Sequence, residues 1–216
     1  MEKITRGGEK PTTHFTPKGI LLPDGTPMYR PPDGLDHDPE KARRLLAEAG
    51  YPRGEGFRPV QYLFNTGKTE QGLAVELQAM WQEELGLKVE LRMVEQKVYF
   101  AAQSALDYDV SRSSWIGDYN DPNTFLDMWM ANNGNNRTGW KSERYDQLMR
   151  EGNRQMDPKR REQFLQQAET LLLREAVPIV PLYFYLGVNF YRPDQVEGLF
   201  ANLLDEHPIY TLRRKK

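Results

Sequence analysis

The chain has 216 residues, with 29 basic against 31 acidic side chains and a formal net charge of -2. That length can bury one sizeable core or two small ones, and the near balance of charge gives no field that favours nucleic acid or an anionic membrane. Cysteine is absent, and His14, His37 and His207 stand far apart, so disulfides, thiolate chemistry and a metal or haem cofactor are not expected.

Residues 1–37 are rich in Gly, Pro and Thr and read as a covering segment. Asp38 and Pro39 then open a helix that Gly50 closes, with Leu45, Leu46 and Ala49 as its apolar face. Val60 to Phe64 reads as a strand. Thr69 starts a helix with Leu73, Leu77, Met80, Trp81 and Leu85 on one side, and Gly86 ends it. Leu87, Val89, Leu91 and Met93 alternate with polar residues, the period of a half-buried strand. A helix from about Lys97 to Ala105 follows, then a strand from Tyr108 to Trp115.

Strands alternating with helices predict a layered α/β lobe with a partly parallel sheet. Ligands of such sheets sit beyond the carboxyl ends of strands. Trp115-Ile116-Gly117-Asp118-Tyr119-Asn120-Asp121-Pro122 stands at such an end. Asp121-Pro122 reads as the cap and first residue of a new helix. Asp118, beside aromatic rings and a Gly that allows close backbone approach, suits a cation such as a peptide's α-ammonium. The alternative is a turn carboxylate that bonds its own backbone.

After an Asn-rich loop, helices are expected near Tyr145–Arg154 and Pro158–Arg174. The second carries a buried stripe of Phe164, Leu165, Ala168, Leu171 and Leu172. Ile179 to Leu186 is unbroken apolar sequence and reads as a strand buried on both faces. No apolar run is long enough to span a bilayer, and Met1 to Gly8 has no apolar signal region.

The octet at Trp115, followed by Phe125-Leu126, Asn135-Asn136-Arg137-Thr138-Gly139-Trp140 and Tyr145-Asp146-Gln147-Leu148, resembles the extracellular oligopeptide- and dipeptide-binding proteins. These are solute-binding subunits of ATP-binding-cassette importers. Pro39–Gly50, Trp81–Val89 and Ala176–Tyr185 share that likeness, which runs from about Asp38 to about Tyr210.

The resemblance implies a type-II periplasmic-binding-protein-like α/β lobe, with a mixed sheet flanked by helices, incomplete against a two-lobed family fold. Residues 1–37 would be a covering or inter-lobe segment, 38–178 the C-terminal ligand-binding lobe, and 179–216 a return crossing toward an N-terminal lobe. The chain then reads as a fragment. It also implies non-catalytic capture of short peptides at the periplasmic or extracellular face, with a transporter permease and the N-terminal lobe as partners.

Asp118 falls on the family's acidic residue that pairs with the peptide amino terminus. Arg112 resembles a basic position that helps satisfy the ligand carboxylate, with a structural ion pair as its alternative. Trp115 is either a pocket wall or core. Tyr119 and Asn120 are motif matches that shape the turn, and Tyr183 and Tyr185, sharing a face by alternation, border the cleft. No tryptophan stands in Glu95–Phe100, where some members present one to the peptide. Other members take sugars or further small solutes, which stay open. Asp109, Asp118 and Asp121 also cluster as a hydrolase's carboxylates would, although Asp121 has a sufficient job as a cap.

Overall fold

The computed structural model describes residues 7–215. In chain order these form β1 (Lys10–Pro11), α1 (Pro39–Glu48), β2 (Val60–Asn65), α2 (Lys68–Leu85), β3 (Val89–Val94), α3 (Gln96–Ala105), β4 (Val110–Ser111) and α4 (Asn123–Leu126). Then come α5 (Glu143–Arg154), α6 (Pro158–Thr170), β5 (Tyr183–Phe184), β6 (Val196–Glu197) and β7 (Arg213–Arg214). The chain divides into two compact units. One holds Leu35–Ser114 and Arg137–Gly139, with Gly7 and Gly8; the other holds Glu9–Gly34, Trp115–Asn136 and the chain from Trp140 onward.

The first unit is built on a parallel sheet of order β3-β2-β4. A parallel neighbour on each side demands a helical crossover each way. Right-handed crossovers in opposite directions place α2 and α3 on opposite faces of the sheet. Side-chain alternation supplies both faces. Tyr62 and Phe64 pack with Ala74 of α2, while Leu63 packs with Tyr99 and Ala102 of α3. Five of the six β2 residues are buried for this reason. Gly86 ends α2 at φ 69°, and a Cβ there would fall 2.1 Å from the Arg53 carbonyl, so only glycine fits.

Asp38 caps α1 as its sequence predicts, accepting from the Lys41 N–H at 2.9 Å. The predicted apolar face of α1 is not buried, however: Leu45 is 52% exposed and Ala49 is exposed. The strand expected over Tyr108–Trp115 shortens to Val110–Ser111. After the Arg112 N–H reaches the Leu63 carbonyl, the Arg112 carbonyl accepts from the Tyr99 hydroxyl and the Gln103 amide. Side chains thus satisfy the group that a longer ladder would have used.

The second unit is centred on α5 and α6. Ser142 caps the first, and Asp157 with Pro158 starts the second. Their core joins Tyr145, Met149, Leu165, Ala168 and Leu172 to Leu126, Met128 and Trp129. Phe164 of the expected stripe is only half-buried. The Pro-rich leading segment does more than cover: Thr16, Ile20 and Tyr29 are almost wholly buried. Glu169, fully buried on α6, binds that segment. Its carboxylate accepts from the Phe15 and Thr16 N–H groups, both at 2.9 Å, and from the Tyr29 hydroxyl at 2.7 Å.

Beyond α6 the helix widens to a π-helical stretch, Leu171–Ala176, and stops at Val177 with φ 48°. The two-sided strand expected over Ile179–Leu186 is not formed. Only Tyr183–Phe184 pairs, antiparallel with β1, and Tyr185 and Leu186 are 46% and 47% exposed. Pro178 and Pro181 withhold ladder donors, and a two-residue partner on one side covers little. Among the described residues no helix is long and apolar enough to cross a membrane.

Candidate functional site

Asp118 and its neighbours form a tight turn in the second unit, and Thr124 is its anchor. Thr124 is 2% exposed; its hydroxyl accepts from the Asp118 N–H at 3.0 Å, and its carbonyl accepts from Trp115 Nε1 at 2.8 Å. Gly117 makes this approach possible. A Cβ there would stand 2.9 Å from the Phe125 ring and 3.1 Å from the Thr124 methyl, inside ordinary contact. Backbone and anchor are therefore fixed, while the Asp118 residue is exposed. Among the described residues none donates a hydrogen bond or ion pair to its carboxylate.

Asp121 does the predicted capping work in altered register. Helix α4 begins at Asn123 with Pro122 in the cap position, yet Asp121 Oδ1 still accepts from the Asn123 N–H at 2.8 Å. The same carboxylate takes both guanidinium nitrogens of Arg161, at 2.9 and 2.7 Å. Such a fork geometry is the strongest form of this pair. Tyr119 is 44% exposed, and its hydroxyl accepts from Asn123 Nδ2 at 3.3 Å. Asn120 donates to the Leu21 carbonyl at 2.8 Å, so its amide ties the turn to the leading segment.

Trp115 packs partly buried against the second unit's core. Tyr183 and Tyr185 share a face as alternation predicts, their rings 5.5 Å apart at 65°. Trp140 stacks edge-on to the buried Tyr145 ring at 5.2 Å, which is packing.

Arg112 belongs to the first unit. Its side chain is 12% exposed and lies 3.4 Å from Glu70, with a 3.3 Å hydrogen bond to Asn65 Oδ1. An arginine so placed is held by the strand ends and the start of α2, and its fork is largely engaged. Asp109, in the same unit, is gripped by Arg58 through two bonds of 2.7 and 2.6 Å and also accepts from the Gln61 N–H. Those bonds hold its carboxyl down at about 2. Asp109 and Asp121 thus each have an arginine, so both carboxylates are committed to ion pairs within the fold. Among the described residues no group of three or more acidic or histidine side chains could hold a metal.

Asp127 was not singled out by spacing. It begins a 3-10 turn, Asp127–Trp129, directly after α4, and its Oδ2 accepts from Asn123 Nδ2 at 3.3 Å. Burial pushes its carboxyl above the usual range, and the negative charge of Asp118 adds to that. Thr124 and Arg161 were missed as well. A buried threonine just before Phe125-Leu126 has a local signal, because that apolar pair draws its neighbour inward. Arg161, forty positions beyond Asp121, has none.

The family model Bacterial extracellular solute-binding proteins, family 5 Middle matches residues 1–137. The Bacillus subtilis dipeptide-binding protein DppE is 33% identical over 212 residues, which is 97% of this chain and 38% of DppE. The periplasmic murein peptide-binding protein MppA of Escherichia coli is 31% identical over 89% of this chain and 35% of its own length. Among solved structures, the unliganded open form of MppA superposes with TM-score 0.83 at 30% identity, over 99% of this chain and 41% of that one. The Haemophilus influenzae OppA complex with RPPGFSPFR gives 0.80 at 27%, over 100% and 42%. The chain spans about two fifths of the length of these proteins, and its mixed α/β architecture is that of periplasmic binding proteins. With the family model covering more than half of its residues, this chain belongs to the bacterial extracellular solute-binding proteins, family 5.

Proposed function

We propose that this chain takes part in capturing short peptides for an ATP-driven importer, with Asp118 receiving the peptide's α-ammonium. The observation that carries this reading is an exposed carboxylate without a donor among the described residues, on a turn whose backbone is fixed by Thr124. Rigid backbone with an unspent charge is what an ionic anchor needs, because little ordering is left to be done on binding. An ammonium offers three donors to such a carboxylate, and the pair holds if further bonds complete it.

Supporting the peptide class are relatives named for dipeptides and murein peptides, and one solved with RPPGFSPFR. Extended peptides gain affinity from backbone hydrogen bonds of the strand-addition kind, leaving side-chain pockets tolerant. Trp115, Tyr119, Asn120, Tyr183 and Tyr185 are then pocket walls and turn supports. A permease partner and a periplasmic or extracellular location belong to the same proposal.

The test is an NMR titration of this chain with millimolar trialanine, beside its N-acetylated form. The expected result is weak binding, with amide shifts clustered at Gly117–Thr124 for the free amine only. Equal shifts for both peptides, or none for either, would overturn the ammonium assignment. Asp118→Asn should remove the preference for the free amine.

A further inference from the structure

We propose that Glu169 is a positioning residue for the Asp118 turn, acting through the leading segment and not by touching a ligand. This rests on the peptide-capture reading and deepens it by naming what aims the carboxylate from outside the turn.

Glu169 is fully buried, and its two oxygens hold both roots of one small structure. Oε1 accepts from the Phe15 and Thr16 N–H groups at 2.9 Å each, and Oε2 from the Tyr29 hydroxyl at 2.7 Å. Between those roots the chain doubles back as a short hairpin. The Met28 N–H donates to the Ile20 carbonyl at 3.0 Å, the Leu22 N–H donates to the Thr26 carbonyl at 2.8 Å, and Leu21 bridges Pro27 antiparallel. The Leu21 carbonyl, on the first arm, accepts from Asn120 Nδ2 at 2.8 Å. Phe15, held by the same carboxylate, sets its ring edge-on to Phe125 at 6.2 Å, directly after Thr124.

The turn's other supports leave a place for this linkage. Thr124 holds the Asp118 N–H, and Arg161 grips Asp121. Asn120 lies between them and is exposed, as is Leu21. A hydrogen bond in contact with water adds little by itself, so it fixes Asn120 only as well as the Leu21 carbonyl is fixed. Packing does not close the gap: a cavity of about 220 Å³ is lined by Leu22 and Met28 of the hairpin and by Pro122 and Arg161 opposite. The hairpin's place is therefore set at its roots, by Glu169. Arg161 and Glu169 stand on the same helix, roughly two turns apart. Helix α6 is thus one frame that grips the turn directly at Asp121 and, through the hairpin, at Asn120.

The experiment is a double-mutant cycle on the full chain, read by NMR titration with trialanine at neutral pH and expressed per folded molecule. Glu169→Leu keeps the bulk but accepts no bond, and Glu169→Gln keeps an acceptor for the Phe15 and Thr16 N–H groups. Asn120→Ala cuts the hairpin from the turn. Glu169→Leu should weaken binding about fivefold, the scale of ordering the turn again on binding, and should shift the Gly117–Thr124 amides of the peptide-free chain. Glu169→Gln should restore both readouts. Asn120→Ala should weaken binding about threefold, and adding it to Glu169→Leu should change nothing further, where independent sites would give about fifteenfold. Multiplying effects, the mark of a merely structural acid, would overturn the inference, as would natural affinity or unmoved amides in Glu169→Leu. Should Glu169→Leu not fold, Tyr29→Phe removes the Tyr29 bond alone and should weaken binding about twofold with the same dependence on Asn120. Additivity there would overturn the inference equally. No trialanine binding by the natural chain would overturn the capture reading and this inference with it; binding with multiplying effects would overturn the inference alone.

Discussion

At the scale of single residues, the deepest commitments are Glu169 and Tyr145. Burial pushes the Glu169 carboxyl up, and its hydrogen bonds only partly offset this. A carboxyl raised in the folded state contributes stability that is fully present below its unfolded value and lost as pH rises through the raised one. Asp109 works in the opposite sense. Held at about 2 by Arg58, it contributes above its ordinary value of 3.8 and loses that contribution as pH falls toward 2. Urea titrations across pH will check both. The natural chain should gain on Glu169→Gln as pH falls from neutrality into the carboxylate range, and should lose ground to Asp109→Asn below about pH 4; parallel profiles would refute the assignments. Tyr145→Phe removes a hydroxyl that donates to the Leu126 carbonyl at 2.7 Å in full burial. The orphaned carbonyl should cost about 1–3 kcal/mol in the same measurement.

At the scale of elements, much was legible. The order of α1 through α3 and the starts of α5 and α6 follow from caps, prolines and periodicity, and each lies within a few residues of its expected place. Local rules succeed there because the bonds that end a helix come from residues three or four positions away. Strands fared worse for the converse reason. Whether Tyr108–Trp115 pairs along its length depends on where the Tyr99 and Gln103 side chains reach, and alternation cannot carry that. Burial also splits residues that look alike in sequence. Leu63 is fully enclosed on β2, whereas Met93 on β3 is 47% exposed. Leu63→Ala should therefore cost about 2–5 kcal/mol, and Met93→Ala within about 0.5 kcal/mol, by chemical denaturation. Similar costs for the two would contradict this burial.

At the scale of the molecule, the compact units interleave along the chain. Bonds such as Phe15 to Glu169 join positions some 150 residues apart and leave no trace in a local pattern. Recognition of the turn at Asp118 needed only eight adjacent letters; its electrostatic partners needed the fold. At the end of the chain, Val188, Phe190, Ile209 and Tyr210 are 65–95% exposed. Exposed apolar surface of this kind promotes association, most where net charge vanishes. Light scattering should thus show concentration-dependent association that peaks near the pI of about 6.0 and fades at pH 8; a monomer at every pH and concentration would argue against it.

If the chain captures peptides as proposed, the Thr124 anchor has a consequence for which ones it takes. Its hydroxyl and carbonyl hold the acid's main chain and the indole beside it, yet nothing requires either atom to meet a guest. Swapping that hydroxyl for a methyl, as in Thr124→Val, would loosen the bearing of the carboxylate while leaving its charge intact. Selectivity could then drift by aim alone, with every contact residue unaltered.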